Sequence, residues 1–134
     1  MPTQDIELWE EVGGPEFVVM NGPDEQFVSG LAMGATGGIG GTYAVMPELF
    51  LKIYELYNSG EIKKATKVQH KVCHIIYTMC GAKGNLYAVM KEILKRRGLN
   101  IGSVRKPLPA LEESDLPIVQ EAIEQIDAAI AEFC

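Results

Sequence analysis

Apolar residues recur at helical spacing over most of this chain, and short apolar runs that end in glycine break that pattern only near its start. Residues 5–12 predict a short amphipathic helix. Residues 17–20 predict a fully buried strand, residues 24–33 a helix, and the glycine-rich residues 37–40 a second strand. This order of helix, strand, helix and strand is the unit of a parallel sheet with right-handed crossovers.

From Pro47 onward the pattern is helical throughout. Apolar stripes predict the following segments: a helix from Pro47 to Tyr57, a helix over 61–79, a helix over 86–94, an extended connector over 99–115, and a last helix from about Asp115 to Phe133. The regular seam of the last helix predicts packing against another helix, in the same chain or in a neighbour. Two strands cannot form a stable buried sheet alone, so the pattern also predicts strand partners outside this chain or strand pairing between copies.

The turn after the first predicted strand carries two adjacent carboxylates, Asp24 and Glu25. In parallel α/β folds ligands bind at the carboxyl ends of the strands. Ionised carboxylates there can accept hydrogen bonds from the hydroxyls of a polyol. They can equally cap the helix that follows, with Pro23 setting the turn. The sequence leaves both roles open, one for each residue or both together.

Other motifs exclude several kinds of site. The glycine run over 34–42 lacks the Gly-Lys-Ser/Thr of a phosphate loop. Nor is it a dinucleotide-binding motif, because Tyr43 stands where that motif needs its third glycine. We therefore interpret these glycines as backbone crowding at a strand end, where there is no room for side chains. His70 and His74 flank Cys73 on a predicted helix without an evident third ligand, so we interpret them as surface or partly packed residues. We therefore predict no metal and no cofactor.

Composition excludes further classes of function. The formal net charge of −6 and the pI of about 4.9 argue against nucleic-acid binding. No apolar run approaches the ~20 residues that span a bilayer, and the polar N-terminus predicts no secretory signal. The chain has an odd number of cysteines, Cys73, Cys80 and Cys134, and their spacing matches no disulfide framework. This indicates reduced thiols in the cytoplasm. The lysines lie on predicted helices or loops, where an amine stays protonated and is a poor nucleophile.

Three segments together closely resemble the N-acetylneuraminate lyases of the dihydrodipicolinate synthase family of (β/α)₈ aldolases: residues 22–25 (GPDE), 29–35 (SGLAMGA) and 37–43 (GGIGGTY). The resemblance extends over nearly the whole chain. It implies the α/β fold of the C-terminal part of a TIM barrel, with residues 17–20 as strand seven and residues 37–40 as strand eight. Residues 1–46 would form the partial barrel, and residues 47–134 would form helix eight and a C-terminal helical extension. Together they would make one incomplete domain.

The resemblance also implies a site. Gly22, Asp24 and Glu25 would contact the hydroxyls of the sugar chain, and Gly40 would offer its backbone beside the substrate. Gly41 stands where lyases commonly carry a serine, so one hydroxyl contact is lost. The lysine, the tyrosine and the Gly-Ser/Thr-rich loop that the family uses on pyruvate have no counterpart in this chain, so we expect no catalytic residue here.

These observations lead to the following hypotheses. The chain is a C-terminal fragment of a sialic acid aldolase, which cleaves N-acetylneuraminate to N-acetylmannosamine and pyruvate through a lysine Schiff base, and the fragment alone is inactive. Alternatives are another pyruvate-dependent aldolase of the family or a non-catalytic helical oligomerisation module. We expect a sugar-acid ligand, no nucleic-acid or membrane partner, and self-association through exposed apolar barrel faces.

Overall fold

The computed structural model describes residues 3–134 of the chain. In chain order its elements are α1 (Asp5–Gly13), β1 (Met20–Asn21), α2 (Phe27–Ala32), β2 (Gly37–Gly38), α3 (Pro47–Asn58), α4 (Ile62–Cys80), α5 (Leu86–Arg96) and α6 (Leu116–Phe133). Short 3₁₀ turns precede α2, α3 and α6, at Asp24–Gln26, Thr42–Ala44 and Glu113–Asp115 respectively. The sequence-based predictions of type and order therefore hold for each of these helices and strands.

The two strands pair in parallel, with Met20 opposite Gly37 and Asn21 opposite Gly38. Backbone hydrogen bonds continue the pairing at both ends, from Thr36 N to Val19 O (3.0 Å) and from Ile39 N to Asn21 O (2.9 Å). Helix α2 is the crossover between the strands, as the sequence predicted. Because the strands are parallel, the segments that follow them emerge at the same edge of the sheet.

The prediction of a fully buried strand over residues 17–20 was wrong in extent and in burial. The strand covers Met20–Asn21, and of the predicted run only Val19 is buried, whereas Phe17, Val18 and Met20 are 50%, 57% and 42% exposed. A strand in a parallel sheet is buried by neighbours on both sides and helices on both faces. Within residues 3–134 β1 has one partner strand, so most of the apolar run remains accessible.

Two further predicted elements near the strand ends differ from the structure. The predicted strand over residues 37–40 is confined to Gly37–Gly38, and the predicted helix over 24–33 consists of the 3₁₀ turn Asp24–Gln26 followed by α2. Both differences arise at the strand ends, where the chain bends so that the two following turns can contact each other.

Helix α4 is the centre of the helical part and packs against α2, α3, α5 and α6. Its apolar stripe joins one core cluster that runs from α2 to α6 and includes, among others, Phe27, Leu31, Leu49, Phe50, Ile53, Val68, Val72, Ile75, Ile76, Met79, Val89, Ile93, Val119 and Ile126. The seam of α6 packs mainly on α4 and α3 of the same chain, which confirms the predicted helix–helix contact. A second, smaller cluster joins Ile6, Val19 and Ala35 beneath α1.

Asp115 fixes the connector to the start of α5. Its carboxylate accepts hydrogen bonds from the backbone N–H groups of Glu112 (2.9 Å), Lys83 (2.9 Å) and Gly84 (3.1 Å). These bonds hold the pKa of Asp115 below its usual value, with the Glu112 bond contributing most. Within residues 3–134, none of the helices is both long enough and apolar enough to cross a membrane.

Candidate functional site

The five residues that the sequence singled out line one cavity of about 300 Å³ at the carboxyl ends of β1 and β2. These residues are Gly22, Asp24, Glu25, Gly40 and Gly41. The first three lie in the turn after β1, and the glycines lie in the turn after β2. The other lining residues are Pro23, Ile39, Thr42, Ile76, Leu86, Tyr87 and Met90, so α4 and α5 form the remaining wall.

Asp24 joins the two strand ends. Its side chain is buried, and Oδ2 accepts hydrogen bonds from the backbone N–H of Thr42 (2.8 Å) and from the Thr42 hydroxyl (2.5 Å). The interpretation of Asp24 as a helix cap is not correct, because no side chain caps the turn that begins here. Oδ2 is committed to Thr42, so the carboxylate oxygen that is left for a ligand is Oδ1.

Gly40 lies directly against that second oxygen. A Cβ built on Gly40 would come within 1.4 Å of Asp24 Oδ1, which no side chain could occupy without displacing the carboxylate. A Cβ on Gly38 would likewise come within 2.2 Å of the Tyr43 hydroxyl. This confirms the interpretation of the glycine run as backbone crowding at a strand end. At Gly22, in contrast, a Cβ would meet no atom within 4 Å, and this residue offers the cavity its backbone groups.

Glu25 differs from Asp24 because it is exposed. Its side chain makes no hydrogen bond or ion pair with any described residue, although it lines the same cavity. A free carboxylate beside a committed one gives this cavity an acceptor-rich wall. Such a wall suits a ligand that donates hydrogen bonds, as a polyol does.

Gln69 of α4 holds the acidic turn in place and was missed by sequence reasoning. The side chain is buried, its Nε2 donates to the carbonyl of Asp24 (3.1 Å), and its Oε1 accepts from the N–H of Val28 (3.1 Å). The available signal was a polar residue within an otherwise apolar helical stripe. A buried amide in that position needs partners, and here the partners are main-chain groups of the turn and of α2.

Tyr43 packs behind the site rather than in it. Its ring stacks on Phe50 with centroids 3.8 Å apart and meets Phe27 edge-on. Burial raises the pKa of Tyr43 well above its usual value, the negative charge of Asp24 adds to the rise, and the Asn21 side chain partly opposes it. Burial therefore favours the protonated form of the Tyr43 hydroxyl.

His70 and His74 are exposed on α4, as predicted. No cluster of three or more metal-ligating side chains occurs in the part of the chain that the structure describes. No lysine lines the cavity among the described residues either, so the groups gathered here can bind and orient a hydroxylated ligand but include no amine nucleophile.

Comparison with known proteins places this geometry in context. Residues 3–126 match the model of the dihydrodipicolinate synthetase family. The chain is 52% identical over 134 residues to an N-acetylneuraminate lyase of Mediterraneibacter gnavus and 34% identical over 112 residues to that of Rhizobium meliloti. The matches cover 99% and 84% of this chain but 42% and 37% of the relatives, so the chain spans less than half of their length.

Solved structures give the same result. The wild-type sialic acid aldolase of Ruminococcus gnavus superposes with a TM-score of 0.97 at 51% identity, over all of this chain and 45% of that chain. The N-acetylneuraminate lyase of Fusobacterium nucleatum in complex with pyruvate superposes with a TM-score of 0.80 at 27% identity, over 90% of this chain and 40% of that chain. The match is to the C-terminal part of a TIM-barrel lyase, which confirms the predicted fold class.

Proposed function

This chain belongs to the dihydrodipicolinate synthetase family, and from that premise we propose that it forms the sugar-recognition part of a sialic acid aldolase site. The complete enzyme would cleave N-acetylneuraminate to N-acetylmannosamine and pyruvate. The observation that carries the proposal is the convergence of all five predicted site residues on one cavity at the carboxyl ends of two parallel strands. The names of the relatives, which are lyases of this sugar acid, support it.

The residues of the cavity have distinct roles in this proposal. Glu25 accepts hydrogen bonds from ligand hydroxyls, because its carboxylate is exposed and uncommitted. Asp24 offers Oδ1, while its bonds to Thr42 keep the two strand ends in register. Gly40 and Gly41 let the Asp24 carboxylate and the Tyr87 ring approach the strand-end backbone, and Gly22 contributes its backbone. The Schiff-base lysine and the pyruvate carboxylate site come from polypeptide outside this cavity.

Binding can be tested on the chain alone. We expect N-acetylneuraminate and N-acetylmannosamine to shift backbone NMR signals of residues 22–25 and 39–42. Glu25→Gln should weaken binding roughly tenfold or more, because a hydrogen bond to a charged group contributes about 1.5–3 kcal/mol. Glu7→Gln, at an exposed position of α1, is the control. A folded chain that binds neither compound, or an E25Q variant with unchanged affinity, would contradict the proposal.

Catalysis requires a separate test. Borohydride trapping with pyruvate should give no covalent adduct on this chain, since no described lysine lines the cavity, whereas a full-length lyase treated in parallel should be labelled. Mixing the chain with the N-terminal remainder of the Mediterraneibacter gnavus lyase should give lyase activity. An adduct on this chain alone would show that the Schiff-base lysine lies within it.

Self-association is part of the same proposal. Large apolar side chains near the start of the chain are accessible: Leu8, Trp9 and Val12 on α1, followed by Phe17 and Val18. Exposed apolar side chains that form a patch commonly mark an interface between proteins. Light scattering of the purified chain, with and without the N-terminal remainder of a lyase, tests whether this surface pairs copies of the chain. We also propose a cytoplasmic location, which the three free thiols support.

A further inference from the structure

The α5 side of the cavity presents a tyrosine that belongs neither to the acidic turn nor to the buried core. Tyr87 lines the cavity together with Glu25, and 52% of it is exposed. Its phenolic hydroxyl has no hydrogen-bond partner among residues 3–134. Tyr77 on α4 is exposed to a similar degree, at 63%, but does not line this cavity. An exposed side chain therefore does not distinguish Tyr87 from Tyr77. Its position in the lining of the cavity does.

The backbone that carries Tyr87 is fixed at several points. Asn85 caps α5, with its Oδ1 accepting from the N–H of Tyr87 at 2.9 Å, and its own N–H donates to the carbonyl of Pro109. The preceding loop is held by Asp115 through the N–H groups of Lys83 and Gly84. An aromatic side chain on so constrained a backbone loses little conformational entropy when a ligand contacts it.

The Tyr87 ring also rests on the turn after β2. A Cβ on Gly41 would lie 2.9 Å from Cε1 of Tyr87 and 3.0 Å from Cε of Met90. Glycine at position 41 therefore lets the ring approach the strand-end backbone closely. The ring thus brings α5 into contact with the same turn that supplies Gly40 and Thr42 to the cavity.

The hydrogen-bonding capacity of the lining shows what the tyrosine adds. Two of the lining side chains, those of Asp24 and Glu25, are carboxylates that accept hydrogen bonds when ionised. The Thr42 hydroxyl is a donor, but it is committed to Asp24. Among the described residues that line the cavity, Tyr87 carries the remaining side-chain donor. A sugar hydroxyl that donates to a carboxylate keeps lone pairs, and a phenol can donate to these.

We propose that Tyr87 is a specificity-determining residue of this site, which contacts the hydroxylated portion of the sugar acid through its ring and hydroxyl. The inference rests on the proposed function, because it concerns the same ligand and the same cavity. It assigns the α5 helix a role in ligand selection that the strand-end motif by itself does not contain.

The test compares Tyr87→Phe with Tyr77→Phe in NMR titrations with N-acetylneuraminate, N-acetylmannosamine and pyruvate. Removing one neutral hydrogen bond should weaken binding of the two hydroxylated compounds about threefold to tenfold in Y87F and leave it unchanged in Y77F. The response to pyruvate, which has no hydroxyl, should be the same in all forms. In wild-type chain labelled with 3-fluorotyrosine, the ¹⁹F signal missing from Y87F should shift with N-acetylmannosamine.

The outcomes separate the two proposals. If the wild-type chain binds and E25Q weakens binding, but Y87F behaves as Y77F does and the ¹⁹F signal stays fixed, the role of Tyr87 is overturned and the proposed function stands. If the wild-type chain binds neither hydroxylated compound, both proposals are overturned. Y87F retains the ring and its packing on Gly41, so a loss of affinity in that variant reports the hydroxyl.

Discussion

The hydrogen bond between Thr42 and Asp24 gives the sharpest test of how the cavity is held together. Thr42→Val keeps the β-branched shape but removes the hydroxyl that donates to Asp24 Oδ2 at 2.5 Å. Both residues are buried, and in the variant Oδ2 keeps the backbone N–H at position 42 as its remaining donor. A hydrogen bond to a charged group contributes about 1.5–3 kcal/mol, and we expect the free energy of unfolding to fall by that amount.

Urea unfolding followed by circular dichroism measures this change. With a urea dependence of about 2 kcal/mol per molar, the expected loss lowers the unfolding midpoint by roughly 1 M. Thr66→Val is the matched control, because the Thr66 hydroxyl donates to the carbonyl of Ile62 on an exposed helix face and leaves no buried carboxylate behind. A double-mutant cycle of Asp24→Ala, Thr42→Val and the two changes combined shows whether they are coupled, because alanine removes the acceptor.

The reasoning would be refuted by a T42V variant no less stable than T66V. It would also be contradicted if the effects of Thr42→Val and Asp24→Ala simply added, because residues that share a hydrogen bond should show an interaction energy of about 0.5–3 kcal/mol. Either result would mean that the hydroxyl bond contributes little, and that backbone pairing, core packing and the N–H bond of Thr42 to Asp24 join the two strand ends.

Two further predictions concern residues that fix the cavity from behind. Gln69→Met removes the amide that hydrogen-bonds two main-chain groups, one in the acidic turn and one in α2. The free energy of unfolding in urea should fall by about 2–4 kcal/mol. Gln120→Met, at an exposed position, is the control and should change it by about zero. The pKa of Asp115 is lowered in the folded state, so its contribution to stability is present above the unfolded pKa and is lost as the pH falls through the lowered value. Between about pH 6 and pH 2 the urea midpoint of Asp115→Asn should therefore fall less than that of the wild type. Parallel curves for the wild type and D115N would contradict this.

Local pattern was sufficient for the helical part of the fold. The stripes of α3, α4, α5 and α6, together with Pro47 and the glycines at helix ends, gave each helix its approximate limits, because periodicity and capping act within a few residues of the chain. The acidic turn and the crowded glycines were also readable, since a strand followed by a turn places its polar residues at a sheet edge whatever the rest of the protein does.

The exposure of the strands and the partners of the site residues depended on tertiary structure. An apolar run such as Phe17–Met20 has the same composition whether helices cover both of its faces or neither, so its burial could not be read from the sequence. Asp24 finds Thr42 18 residues away and Gln69 45 residues away, at distances over which no periodic pattern operates. Tyr87 reaches the cavity because α5 packs beside the strand ends.

Sequence by itself therefore determined which segments are helical, where the carboxylates stand relative to a strand, and to which family the chain is similar. Only the folded chain decided that Asp24 is a buried link between two turns while its neighbour Glu25 remains free. The physical reason is that secondary structure follows from interactions between near neighbours, whereas a binding site is assembled by long-range packing and by hydrogen bonds that buried polar groups must find wherever the fold provides them.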